Sequence, residues 1–200
     1  VPPWSRAELL EIPSAGFPLL NVSVPMRITE RMADEAYGSP HLMQEFCREY
    51  AEQLGVDHTA SEPITAKTFS DDLFRAVAEQ TGKVIFDKLA QGPRQRTDRL
   101  QRELASGGSA DIYKVVLLAL GRLSPGLERV EYEALRSSIR EILAENIPEA
   151  HEVSRVLEKM SEIASSDEAS TPVLDWDKDD RLLHITDPFF AFFLKWGTLA

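Results

Sequence analysis

Four histidines, one cysteine, a run of arginines and a Gly-Ser-Pro-His turn are the features of this sequence best suited to chemistry. His41, His58, His151 and His184 never fall four apart on one helix face, the spacing that would place two imidazoles on one zinc ion. Cys47 sits on an apolar helical stripe and reads as a small core residue rather than a nucleophile. Carboxylates are plentiful, yet none stands apart as a catalytic pair, so they read as solvated helix faces. The phosphate loop with Gly-Lys-Ser/Thr at its end is absent. The glycines of "ASGGSAD" have no lysine behind them and read as a loop leading to a helix N-cap at Ser109. Arg94, Arg96, Arg99 and Arg102 form a basic stretch, diluted by Asp98 and Glu103, that reads as a solvated linker. Phe189, Phe190, Phe192, Phe193 and Trp196 read as core packing rather than a ligand box. No catalytic residue and no metal site emerges, so this chain is expected not to be an enzyme by itself.

The turn is the remaining candidate. A helical run breaks at Gly38, passes through Ser39 and Pro40, and restarts at His41. The first turn of a helix favours anions because its N–H groups and dipole point outward there. His41 therefore either faces an anion or is an ordinary surface residue of a helix N-terminus.

Composition bounds what these residues can serve. The net charge of −11, from 33 acidic and 22 basic side chains, opposes a dedicated nucleic-acid binder, whose affinity comes mainly from neutralising phosphates. A single cysteine precludes an intrachain disulfide and any cysteine-based zinc cluster, and a reducing cytoplasm is the expected setting. No apolar run reaches the roughly 18 residues of a membrane span, and no signal peptide is visible. The chain opens on "VPPWSR" without Met and is expected to be part of something longer.

The elements that must position these residues read almost entirely as helix. Ser5 and Glu8 form a capping-box pattern, followed by Leu9 and Ile12 on one face, and Pro13 is expected to interrupt that helix. Pro25 opens the next, with Ile28, Met32 and Ala36 inward. After the Gly38 break, Leu42, Phe46, Tyr50 and Leu54 share a stripe that Gly55 ends. "VDHTASEPITAK" reads as a loop, and a capping signal at Thr68–Asp71 opens one long helix with Leu73, Val77, Val84, Ile85 and Leu89 inward. "DIYKVVLLALGRL" is apolar nearly all round and so belongs at a centre. Two helices follow, one with Leu135, Ile139 and Ile142 inward, the other over 148–164 with Val153, Leu157, Met160 and Ile163 inward. Leu174 and Trp176, then Leu183 and Ile185, alternate with polar residues about a "DKDD" turn, the pattern of a hairpin, before Asp187-Pro188 caps a last helix. The fold class is mainly α: a helical bundle, then three helices and a hairpin that make a winged helix-turn-helix. The divisions fall at 1–60 for the bundle, 61–106 for a connecting long helix and linker, and 107–200 for the winged-helix domain.

A winged helix raises DNA binding, usually through its third helix. Here that helix carries Glu149, Glu152, Glu158 and Glu162 against Arg155 and Lys159. The hairpin carries Asp175, Asp177, Asp179 and Asp180 against Lys178 and Arg181. Both surfaces repel phosphate, so DNA is disfavoured as a partner. An acidic protein-interaction module is the other alternative.

"MADEAYGSPHLMQEFCREYA" resembles the helical lid of AAA+ ATPases, especially of the prokaryotic STAND branch, in which a Gly-x-Pro turn joins two lid helices. "IYKVVLLALG", two helices, a hairpin and "DPFFAFFLKW" are similar to the winged-helix domain that follows that lid. The resemblance implies a regulatory, nucleotide-sensing region whose Gly38, Pro40 and His41 close over a nucleotide. Pro40 would lie on the adenine side, and His41 stands where the family places its sensor arginine. ATP and Mg would be held by a P-loop ATPase core upstream in the same protein, not by this chain alone.

Overall fold

The computed structural model describes residues 2–93, 99–165 and 172–199. Two compact units divide the chain, Val1–Thr81 and Gly82–Ala200. The nine helices of the described residues make it mainly helical, with small sheets.

In the first unit Ser5 starts α1 (Arg6–Leu19) with the expected capping box: its hydroxyl accepts the Glu8 N–H, and its own N–H donates to the Glu8 carboxylate at 2.7 Å. Contrary to expectation, Pro13 does not interrupt this helix, nor does Pro18. A proline inside a helix costs about 3 kcal/mol through its missing N–H and its clash with the preceding turn. Leu9, Pro13 and Phe17 form the buried stripe of α1, so the Pro13 ring packs as a core side chain and offsets that cost.

Two-residue strand β1 (Val22–Ser23) follows, then α2 (Met26–Glu35) and α3 (Pro40–Gln53), with Ile28, Met32, Leu42, Met43 and Phe46 almost wholly buried. The segment read as pure loop contributes β2 (Ile64–Thr65), which pairs parallel with β1. Helix α4 (Asp72–Thr81) closes the unit. Its core is aromatic: Phe46 stacks edge-on against Phe74 at 5.1 Å, Phe74 against Phe69, and Tyr50 lies beside Phe69 and Phe17. The Tyr50 hydroxyl is satisfied by the Thr68 carbonyl at 2.7 Å.

The long helix expected from residue 70 onward is two helices, α4 and α5 (Lys83–Gln91), which belong to different units. Val84, seven residues after buried Val77, would face inward on one continuous helix but is 80 % exposed, and Phe86 is buried instead.

In the second unit β3 (Arg102–Glu103) and β4 (Ser109–Ala110) form a short hairpin. Ser109 is therefore a strand residue, and Asp111 caps α6 (Ile112–Leu123), accepting the Lys114 N–H at 3.0 Å. As its composition requires, α6 is central, packed by α5, by α7 (Tyr132–Ile142), by α8 (Ala150–Ala164) and by α9 (Pro188–Trp196). Between α6 and α7 runs β5 (Arg129–Glu131), which the sequence reading missed. It completes an antiparallel sheet with β6 (Leu174–Asp177) and β7 (Leu182–Ile185) in the order β5-β7-β6. Leu174, Trp176, Leu183 and Ile185 face inward, as their alternation predicts.

Asp187 caps α9 by accepting the Phe190 N–H at 2.7 Å, and burial pushes its carboxyl above the ordinary aspartate range. The folded state thus holds the Asp187 proton more tightly than the unfolded chain does, and this residue's contribution to stability falls as pH rises through the raised value. Asp187→Asn, which keeps the acceptor without the charge, is expected to match the parent in acid and to equal or exceed it at pH 7. Asp187→Ala loses the cap and about 1 kcal/mol. Urea midpoints at pH 4 and pH 7 decide: a less stable Asn variant at pH 7 would mean that the charge is favourable there.

Candidate functional site

The Gly-Ser-Pro-His turn is built by two consecutive residues in left-handed conformation, Tyr37 at φ 49° and Gly38 at φ 70°. The Ala36 carbonyl takes the Ser39 N–H at 2.8 Å, and the Ser39 hydroxyl takes the Leu42 N–H at 3.2 Å. Pro40 occupies the first turn of α3, where its missing N–H costs nothing. The elbow is held from outside by residues 3 and 4. The Trp4 N–H donates to the Gly38 carbonyl at 2.9 Å, and a side chain at position 38 would meet Pro3 Cβ at 2.6 Å. Only glycine satisfies both the dihedral and the space.

These constraints bring Gly38, Pro40 and His41 together at the head of α3. The His41 imidazole is 69 % exposed, with Nε2 3.7 Å from Glu45 Oε1 one turn below. Glu45 also receives Arg48 at 2.8 Å, and Arg48 pairs on with Glu52. The helix head thus offers His41 to solvent above a carboxylate. Its anion-attracting capacity is modest, because Pro40 brings no N–H and Ser39 already takes that of Leu42.

Two larger clefts of the same unit do not include the elbow. One of about 590 Å³ lies between α1 and the β1–β2 bridge and is lined by Leu10, Phe17, Asn21, Met26, Thr29 and Ile64 among others. The second, about 530 Å³, includes Phe17, Leu20, Cys47, Arg48, Ala51 and Val56. Burial pushes the Cys47 thiol up to about 12, which disfavours the thiolate at neutral pH. Neither cleft was legible from sequence, since each draws residues from segments tens of positions apart.

In the second unit the basic stretch departs from its reading as solvated linker. Arg94 and Arg96 lie outside the described residues. Arg102, however, is buried and Arg99 is half-buried, with side chains 5 % and 16 % exposed. Around the β6–β7 hairpin, basic side chains are paired: Lys178 with Glu158 at 2.8 Å, Lys159 with Glu162 at 2.6 Å, and Arg181 with Glu133 at 3.0 Å while lying over the Tyr132 ring. At the hairpin tip Asp177 accepts the N–H groups of Asp179 and Asp180, which fixes the "DKDD" turn. The Phe cluster of α9 is core, with Phe190, Phe192 and Phe193 fully buried.

Among the described residues no three His, Cys, Asp or Glu side chains converge as a metal site, and no helix is long and apolar enough to cross a membrane. Comparison of the chain with protein-family models, with curated proteins and with solved structures finds no match.

Proposed function

We propose that this chain is the regulatory part of an AAA+/STAND-like ATPase, a nucleotide-sensing lid followed by a winged-helix domain. The lid closes over ATP held by a P-loop core of the same protein and passes nucleotide state to the arrangement of its domains or to partners. The observation that carries the reading is the order of parts. A Gly-x-Pro elbow joins α2 and α3, and the second unit then runs helix, strand, helix, helix, hairpin, with sheet order β5-β7-β6. That connectivity supports the winged-helix reading. Pro40 and the exposed His41 at the head of α3 are the lid residues that would approach the nucleotide, His41 as a hydrogen-bond donor in place of an arginine.

The test is nucleotide binding by the protein joined to its P-loop core. A fluorescent ATP analogue is expected to bind that longer protein, and His41→Ala to weaken it two- to fivefold. Unchanged affinity removes His41 from the site, and a longer protein that binds no nucleotide removes the reading.

A second reading, an acidic docking module for a basic partner, is favoured by the pairing around the hairpin. Lys178, Lys159 and Arg181 are each tied to a glutamate, while Asp179 and Asp180 remain at an exposed tip. The same pairing opposes DNA reading through α8. A duplex retarded in a gel at low salt would reverse that ranking.

A further inference from the structure

The geometry points to a small-oxyanion site in the second unit: a pocket that takes phosphate or a phosphate monoester on Arg99, Arg102 and Arg155. The pocket is about 320 Å³ and is lined by these three arginines with Tyr113, Ile112 and Glu152 among others. A triple-arginine pocket in a chain of net charge −11 is unlike the rest of its surface.

Two of the arginines are held rigid by protein contacts. The Arg99 guanidinium lies 4.6 Å over the Tyr113 ring, donates from Nη1 to Asp111 at 2.6 Å and from Nη2 to the Pro93 carbonyl, and abuts Gly92. Gly92, at φ 58°, leaves room for both groups: a Cβ there would lie 2.9 Å from the Tyr113 ring and 3.0 Å from Arg99 Nη2. Arg102 is fixed by β3. It donates from Nε to the Asn146 carbonyl at 3.0 Å and from Nη2 to Glu152 at 3.1 Å. The β3–β4 hairpin is in turn tied to the end of α7 and the residues after it, Ala105 N–H donating to the Ile142 carbonyl and Ala144 N–H to the Glu103 carbonyl.

These contacts leave donors over. A guanidinium carries five N–H groups. Among the described residues each of Arg99 and Arg102 spends two on the protein, so Arg102 keeps three, while Arg99 keeps two on its Nη atoms, its Nε being shut away from solvent. Arg99 Nε is buried without an acceptor, a costly state for a charged donor. Arg155, exposed on α8 and without an ion-pair partner among the described residues, supplies a third fork at the rim. Asp111 and Glu152 offset Arg99 and Arg102, and Arg155, whose charge also acts on Glu158, is the third positive group of the pocket. Planar forks that line one pocket from different elements suit the tetrahedral oxygens of a phosphate, to which guanidinium groups donate paired hydrogen bonds.

Calorimetric titration of the whole protein at constant low ionic strength tests this, with inorganic phosphate, O-phosphoserine and AMP as probes. Inorganic phosphate is expected to bind saturably with a dissociation constant on the order of 1 mM, as few charge-assisted bonds on a wet rim would give. Arg155→Ala, an exposed change that leaves the fold intact, is expected to weaken binding about tenfold. Arg155→Lys should fall between, keeping charge and losing the fork. Glu152→Gln keeps the cap of α8 and removes a competing carboxylate, so it is expected to tighten binding several-fold. Stronger binding of the two esters than of free phosphate identifies a phosphomonoester ligand, and the reverse identifies phosphate itself. Absence of saturable heat with all three probes overturns the proposal, as does equal affinity in Arg155→Ala or weaker binding in Glu152→Gln.

Discussion

Phe193→Ala is expected to destabilise the second unit by about 4 kcal/mol, the largest effect of any single change considered. Phe193 is fully buried on α9, with its ring 5.0 Å from that of Phe86 on α5. Two glycines mark how closely it is enclosed. A Cβ at Gly82 would lie 2.4 Å from Phe193 Cβ, and one at Gly197 would lie 2.5 Å from the ring. Part of the wall around Phe193 is therefore backbone, which cannot swing in to fill the void left by alanine, so the transfer term and the cavity term both apply. Urea unfolding followed by near-ultraviolet circular dichroism measures it. A loss below about 1 kcal/mol would show that α9 slides to close the slot. Gly82 is itself at φ −101°, an ordinary value, so its requirement for glycine is purely one of space.

The second large effect is at the elbow. Gly38→Ala is expected to cost roughly 2–3 kcal/mol, of which about 1–2 come from forcing an L-residue into left-handed backbone and the rest from displacing Pro3. Gly38→Asn separates the two causes. Asparagine tolerates that backbone but carries the same Cβ, so it should recover part of the stability and none of the Pro3 contact. The Trp4 amide, hydrogen-bonded to Gly38 O, reports the contact directly: its hydrogen exchange should quicken in both variants. A Trp4 amide as protected as in the parent would mean that residues 3 and 4 are anchored by something other than the elbow.

Where sequence and structure agree, one local rule decided the outcome. Ser5 with Glu8 and Asp187 before Pro188 announce helix starts through their own side-chain chemistry. Leu174, Trp176, Leu183 and Ile185 announce a hairpin through strict alternation. Where they differ, a tertiary term overrode the local one. Pro13 is a helix breaker by propensity, but it lies on the stripe between Leu9 and Phe17, and burial keeps it inside α1. The run from Leu73 to Leu89 carries helical spacing across Gly82, where one helix ends at Thr81 and the next starts at Lys83, and the close approach of Phe193 explains the glycine there. Strand β5 is three residues long, too short for any period to register. Of the candidate site, the Gly38–His41 elbow was legible because glycine and proline punctuate the chain. The surroundings of His41, Glu45 below it and solvent around it, follow from the helix and needed the structure. Arg99 and Arg102 looked solvated because their counter-ions, Asp111 and Glu152, come from 12 and 50 residues away.

The β1–β2 bridge bears on how the first unit assembles. Its two residue pairs are the middle of a longer seam between 19–23 and 59–66: Thr59 donates to the Leu19 carbonyl, Asn21 to the Ala60 carbonyl, and Ala66 to the Ser23 carbonyl. The partners stand 40 residues apart along the chain, with α2 and α3 between them. The two helices can nucleate from local contacts, whereas the seam must first bring distant ends together and meets the loop-closure entropy of that interval. It is therefore the part of the unit expected to zip last and unzip first. Substitutions along it, such as Asn21→Ala, should quicken unfolding while leaving the refolding rate nearly unchanged.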